Sequence, residues 1–247
     1  MATLYDNFSA NSVGDVPAGL TSRWETAAAG NEVKFATDPE LGEKEFFIYG
    51  SNGYDRVVYE ATGIVGSAND EIYVLLANIQ PFAEHIQTLV LRGSGTYATR
   101  SGYVLFIRAG SESPELSIRR KSGGATSTAA TSYVPPGTIS AGAVRVKLSV
   151  KDDGANVRVK AWLWPNGTEQ PVTPSIEYVD TNPLPIGWAG IGSVSNGVTG
   201  KAAEFGFYSV GTDGDAAPEP DGPELPVALT ATALGITTAV LDWRDGV

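Results

Sequence analysis

Cysteine is absent from this 247-residue chain, and histidine occurs once, as His85. Those two facts exclude disulfide staples, thiolate metal sites, cysteine nucleophiles and most histidine-built metal clusters. Long apolar runs are missing as well. No stretch reaches eighteen apolar residues, so no membrane-spanning helix is expected. The opening MATLYDNFSANSVGD has neither the basic start nor the apolar core of a secretory signal, so synthesis in the cytoplasm is expected. Positive charge is scarce: 17 Lys and Arg stand against 28 Asp and Glu, for a net charge of −11. The part after Thr212 carries −6 of that and the preceding body −5. An acidic body without a dense basic patch argues against nucleic acid as a partner.

What is abundant favours strands. Twenty-nine glycines and fifteen prolines punctuate runs rich in Val, Thr, Ser and Tyr. NEVKFAT, KEFFIYG, DRVVYEAT, DEIYVLLANI, IQTLVLRGSG, GYVLFIRAG, ELSIRRKS, IGWAGIGSV and AEFGFYSVG read as strands bounded by turn residues. A helical alternative exists only for PFAEHIQTLV, where Phe82, Ile86 and Leu89 fall on one helical face. Many short alternating strands predict an all-β, two-sheet antiparallel sandwich with one face of each sheet on a shared core. IGWAGIGSV does not alternate, so both its faces are expected to be covered. SGGATSTAATS, residues 122–132, reads as a surface loop.

The clearest alternation is VRVKLSVKDDGANVRVKAWLWPNG, residues 144–167. Val144, Val146, Leu148 and Val150 share one parity; Arg145, Lys147 and Lys151 share the other. Beyond the break at residues 152–156, Val157, Val159, Ala161 and Leu163 oppose Arg158, Lys160, Trp162 and Trp164. If the aliphatic parity faces the core, the cations and indoles share an outer face. Rings stack on sugar faces and cations pair with carboxylates, so Arg145, Lys147, Arg158, Lys160, Trp162 and Trp164 are the candidate glycan face. The competing reading is a solvated strand face that discourages aggregation, with the tryptophans covered by PNGTEQPVTPS as a minor core. Trp24, Trp188 and Phe207 are expected in the core. ELSIRRKS adds Arg119, Arg120 and Lys121, which the sequence does not place relative to this ribbon.

Catalytic constellations are wanting. A glycoside hydrolase needs two carboxylates flanking the sugar bond, and the strand signature Glu-x-Asp-x-x-Glu is missing. Asp70 and Glu71 are followed only by apolar residues, and Glu115, Glu177 and Glu204 stand alone in sequence. A serine triad would need His85, and no GxSxG elbow precedes a helix. The chain is therefore read as non-enzymatic. No cofactor is expected. Calcium is the only metal with pieces in its favour, at 180–182 (DTN), 213–215 (DGD) and 152–154 (DDG), none with the spacing of a defined calcium loop.

DNFSANSVGDVPAGLTSRW, LVLRGSGTYATRSGYVLFIR, the 144–167 ribbon and AEFGFYSVGTDGDAAP, in that order, resemble the concanavalin-A-like lectin/glucanase jelly rolls over about residues 4–212. More narrowly they resemble the laminin-G-like versions in virion proteins of tailed bacteriophages and gene-transfer particles. The resemblance implies two antiparallel sheets, one concave, and often glycan binding. It also implies a structural virion protein (spike, fibre or decoration module) located on the particle, with a carbohydrate-binding module of a bacterial surface protein as the alternative and a polysaccharide-degrading enzyme as the third reading.

Three segments follow: a sandwich over 1–212, an acidic Pro/Gly linker over 213–226, and a strand-like tail over 227–247 that resembles the opening of a fibronectin type III domain. With the sandwich starting almost at Met1, contacts to other virion proteins are expected from the tail, through Leu229, Leu234, Leu241 and Trp243.

Overall fold

The structure, a computed structural model, describes residues 3–6, 20–22, 32–37, 44–49, 56–61, 66–76, 85–96, 98–108, 115–133, 143–195 and 202–219. Side chains are described over 3–5, 66–76, 87–96, 98–108, 115–131, 143–192 and 205–219. Among these residues there are fifteen strands and no helix. The first five are β1 (Thr3–Asp6), β2 (Leu20–Ser22), β3 (Glu32–Thr37), β4 (Lys44–Tyr49) and β5 (Arg56–Ala61). Next come β6 (Asn69–Leu76), β7 (His85–Ser94), β8 (Ser101–Arg108), β9 (Glu115–Ser122) and β10 (Ala125–Tyr133). The last are β11 (Val144–Asp153), β12 (Asn156–Pro165), β13 (Ile176–Asp180), β14 (Trp188–Ser195) and β15 (Ala202–Gly211).

They form two antiparallel sheets. The first runs β13-β12-β11-β6-β15-β4-β3, with β1 also paired to β15; the second runs β10-β9-β8-β7-β14-β5-β2. The core lies between them. Val146, Leu148, Val157, Val159, Ile72 and Val74 from the first sheet meet Leu89, Leu91, Leu105, Ile107, Ile118 and Ile191 from the second. Each such side chain, fully buried, contributes roughly 1.5–3 kcal/mol. In a protein with no disulfides this packing holds the two layers together.

One expectation on local structure stands and one is corrected. The stretch with a helical alternative is strand β7 from His85 onward: Gln87, Thr88, Leu89, Val90 and Leu91 are all buried, on both faces, so no alternation marks it. The run read as a surface loop is mostly edge strand β10, joined to β9 through Gly123 and Gly124. β14 lies between β7 and β5, with residues 189–192 buried, as its lack of alternation implied.

Polar bridges tie the sheets at one side. A bulge in β7 sets Arg92 at φ 56°, in the left-handed region, and buries it to 3 % exposure. Its guanidinium donates to the carbonyls of Leu184 (2.9 Å) and Ala68 (3.1 Å) and pairs with Asp152 at the end of β11. The bulge needs bare backbone: a Cβ on Gly187 would lie 2.2 Å from the Gly93 oxygen, and one on Gly93 would lie 2.5 Å from the Trp188 ring. Nearby, Asp180 of β13 accepts from the Tyr103 hydroxyl (2.7 Å), Arg120 Nε (2.8 Å) and the Asn182 amide (2.9 Å).

Candidate functional site

The β11–β12 ribbon turns at Gly154 and Ala155, between the paired residues Asp153 and Asn156. Gly154 has φ 67° and Ala155 stays at negative φ, the pattern of a type II′ hairpin turn. That turn fixes the register and therefore the outer face. Arg145 lies opposite Trp164, Lys147 opposite Trp162, Ser149 opposite Lys160 and Lys151 opposite Arg158. β6 flanks this grid with Glu71 beside Ser149 and Tyr73 beside Lys147, and β13 adds Glu177 beside Lys160. The face divides into two halves with different fates.

At one end the outer face is a second core. Trp164 stacks on Tyr73 (centroids 5.5 Å apart, planes 16°), and Phe207 meets the same ring edge-on at 5.0 Å. Ala217 completes the cluster, with Leu75 and Trp162 packed against it. This corrects the expectation that Trp164 is open to a ligand: it is 2 % exposed. The cover is not PNGTEQPVTPS but the chain just after β15. There the Asp213 amide donates to Ser67 Oγ (2.7 Å) and the Gly214 amide to the Asn69 carbonyl (3.1 Å), and Ala217 lies 1 % exposed in the aromatic cluster. The first part of the stretch read as an acidic linker thus belongs to the sandwich as a strap over 212–219.

The cations at this end are committed. Arg145 donates to the Tyr73 hydroxyl (2.8 Å) and to Asn166 Oδ1 (2.8 Å). Lys147 is 8 % exposed and paired with Glu71 at 3.1 Å. Burial raises the Tyr73 phenol to about 12, against the pull of Arg145. Arg145, Lys147 and Trp164 are therefore structural here, and Trp162 is half-buried with its indole N–H enclosed. Parity alone could not reveal this, because it says which side chains point outward and not what crosses over them.

The other end is open. Ser149, Lys151, Asp152, Asp153, Arg158 and Lys160 line a depression of about 310 Å³. Arg158 is held from two sides, by Asp153 Oδ2 (2.7 and 3.2 Å) and by Glu177 Oε1. Lys160 Nζ lies 4.0 Å from Glu177 Oε2. Among the described residues the side chains of Ser149 and Lys151 have no hydrogen-bond or ion-pair partner. Of the six candidate residues only Arg158 and Lys160 line this depression; Ser149, Lys151, Asp152 and Asp153, which line it too, were not among the six. The hairpin register was the available signal, since counting back from the turn places Ser149 against Lys160.

The remaining candidates are scattered. Arg119 and Lys121 lie on the opposite sheet, over the Phe106 ring at 4.1 and 5.8 Å, and Arg120 turns inward to Asp180. Phe207 is buried, though in the second core, and Trp188 packs on Gly93. The three calcium pieces do not converge: Asp180 and Asp152 are bound by arginines in separate bridges, and among the described residues no three His, Cys, Asp or Glu side chains gather for a metal. The side chains of His85 and Glu204, and all of Trp24, Leu229, Leu234, Leu241 and Trp243, lie outside the described residues.

No protein-family model and no curated protein matches the chain. Solved structures do. The chain is similar to the exoplasmic/lumenal domain of VIP36 in a Ca2+/Man2-bound form, with TM-score 0.52 and 10 % identity over 82 % of this chain and 92 % of that one. It is also similar to the Emp46p carbohydrate recognition domain in a potassium-bound form (TM-score 0.51, 9 % identity, 81 % and 90 % covered). A third similar structure is the CBM2 module of an evolved Dit from Lactobacillus casei BL23 phage J-1 (TM-score 0.48, 10 % identity, 82 % and 94 %). At such identities the likeness speaks for the fold. The chain has the concanavalin-A-like lectin sandwich.

Proposed function

We propose that the chain is a non-catalytic, lectin-like module that binds a glycan in the β11–β12 depression and is displayed on a virion of the tailed-phage type. The observation that carries the binding half is the depression itself, on a sandwich shared with carbohydrate-recognition domains. Sugar hydroxyls both give and accept hydrogen bonds, and this lining supplies donors (Lys151, Lys160, Arg158), acceptors (Asp152, Asp153) and a hydroxyl that does both (Ser149). The display half rests on the sequence resemblance to phage virion proteins, with the tail around Leu229–Trp243 as the tether to neighbouring virion proteins. The same site would equally serve a carbohydrate-binding module of a bacterial surface protein.

A glycan array with the full chain and with Arg158→Ala and Lys160→Ala tests the binding half. Hits that both variants lose support it, and hits that survive both remove this face. New reducing ends on incubation with capsular polysaccharide would replace the module with an enzyme. For the display half, a chain ending at Glu219 keeps the strap and should fail to enter particles. Its incorporation at wild-type level would refute a tail tether.

A further inference from the structure

We infer that the glycan bound in this depression is acidic, its anionic group held by Lys151, Lys160 and Ser149; the inference rests on the glycan-binding reading above. It follows from how charge is distributed among the side chains of this patch. Asp152 is paired with Arg92, which reaches it from the opposite sheet. Asp153 is taken by both terminal and Nε donors of Arg158. Glu177 gives one oxygen to Arg158 and lies 4.0 Å from Lys160 with the other. Glu71, beside Ser149 on β6, is bound by Lys147. Every acid bordering the depression thus has a cation, and the arginines and Lys147 hold them closest.

What is left over is positive. Among the described residues Lys151 is exposed and without an ion-pair partner, Lys160 has only its distant share of Glu177, and the Ser149 hydroxyl has no hydrogen-bond partner. Ser149 and Lys151 are successive outward positions on β11, and Lys160 faces Ser149 across the ribbon. Two ammonium groups and a hydroxyl on adjacent positions make a cluster rich in donors and positive in charge, and like charges so placed destabilise each other unless an anion lies between them. Ring stacking does not supply the selectivity of the depression, because neither Trp162 nor Trp164 lines it and Trp164 is sealed under the strap. A carboxylate accepts from all three donors at once, and a point-charge cation such as lysine tolerates varied anion geometry.

The test uses matched pairs: oligomers of galacturonate, alginate and hyaluronate, each beside its carboxyl-reduced neutral form, titrated into the full chain by calorimetry and amide NMR. At least one acidic form should bind about tenfold or more tighter than its reduced partner. Its shifts should centre on Ser149, Lys151 and Lys160, and its affinity should fall as salt rises. Lys151→Gln and Lys160→Gln should abolish the acid-over-neutral difference. Equal binding of acidic and reduced forms at this site overturns the inference while leaving the lectin reading intact. An acid preference unchanged in both variants overturns the assignment to these lysines. No binding of any acidic form, with hits on a neutral array, overturns it again; a blank array removes both readings.

Discussion

Arg92 of β7 and Asp152 of β11 belong to different sheets, and their side chains meet where the two layers face each other. The arginine is buried and its backbone left-handed, an arrangement that costs about 1–2 kcal/mol by itself. It persists because the same guanidinium also satisfies the carbonyls of Leu184 and Ala68. Arg92→Ala should therefore lower unfolding stability by about 3 kcal/mol, chiefly by leaving those acceptors without a charged donor. Asp152→Ala, at a half-exposed partner, should cost about 1 kcal/mol or less. Urea titrations of the two variants give the comparison; equal losses would mean that the ion pair, and not the carbonyl bonds, holds the bulge.

The strap over the second core should be separable from the tail. A chain ending at Thr212 should lose roughly 2 kcal/mol, at about 25 cal/mol per Å² of ring surface uncovered. Its tryptophan fluorescence should shift to the red as Trp164 meets water. A chain ending at Glu219 should match the full chain in stability, and because both truncations lack Trp243 the emission of the Thr212 chain is read against that of the Glu219 chain. A red shift in neither truncation would show that Ala217 does not shield the ring.

Two buried carboxyls should bend the pH profile in opposite senses. Burial pushes Asp180 upward, but the Tyr103 hydroxyl, the Asn182 amide and Arg120 together leave it below its ordinary 3.8. Its stabilisation is therefore complete above pH 3.8 and lost as the pH falls through the folded value. Burial holds Asp70 above 3.8 despite its bonds from Ser67, so its contribution favours folding below pH 3.8 and disappears as the pH rises through its folded value. The stability gap between wild type and Asp180→Asn should close on acidification from pH 6 to pH 3. The change for Asp70→Asn should run the other way. Parallel curves for the two variants would contradict these assignments.

Glycine at the bulge is a steric requirement. Gly187→Ala would bring a methyl within 2.2 Å of the Gly93 oxygen, a backbone atom that cannot rotate aside. A loss of about 3 kcal/mol, or failure to fold, is expected, in line with overpacking against fixed backbone. Gly154→Ala, open to solvent but at positive φ, should cost only about 1 kcal/mol. Thermal unfolding of both variants ranks them.

The two halves of the outer face should respond differently to substitution. Trp164→Ala should cost about 3–5 kcal/mol as a large-to-small change in a packed cluster. Arg158→Ala should leave the melting temperature where it was and reduce glycan retention. If Arg158→Ala destabilised the fold while Trp164→Ala left it unchanged, the division of the face into core and depression would be wrong.

The ribbon was legible in the sequence because one-sided burial imprints a period of two: Val144 through Val150 and Val157 through Leu163 face inward as their parity implied. β7 was ambiguous because both of its faces are covered, so burial leaves no period to find. β10 looked like a loop because Ser, Thr and Ala suit an exposed edge strand as well as a turn. The open half of the site was partly legible, through Arg158 and Lys160. The closed half was not, since nothing in the order of residues tells that Ala217 returns over Trp164. Arg92–Asp152 and Arg120–Asp180 were invisible for a related reason: contacts between sheets carry no sequence period, and the pairs are 60 residues apart.

Because the strap crosses the outside of the β6–β12 sheet and Glu219 still lies close enough to influence the Tyr73 phenol, residues 212–219 lie on the same broad side that holds the depression. Strap and depression therefore share one flank. A polymer lying along β11 and β12 would meet the strap at the Trp164 end of the ribbon.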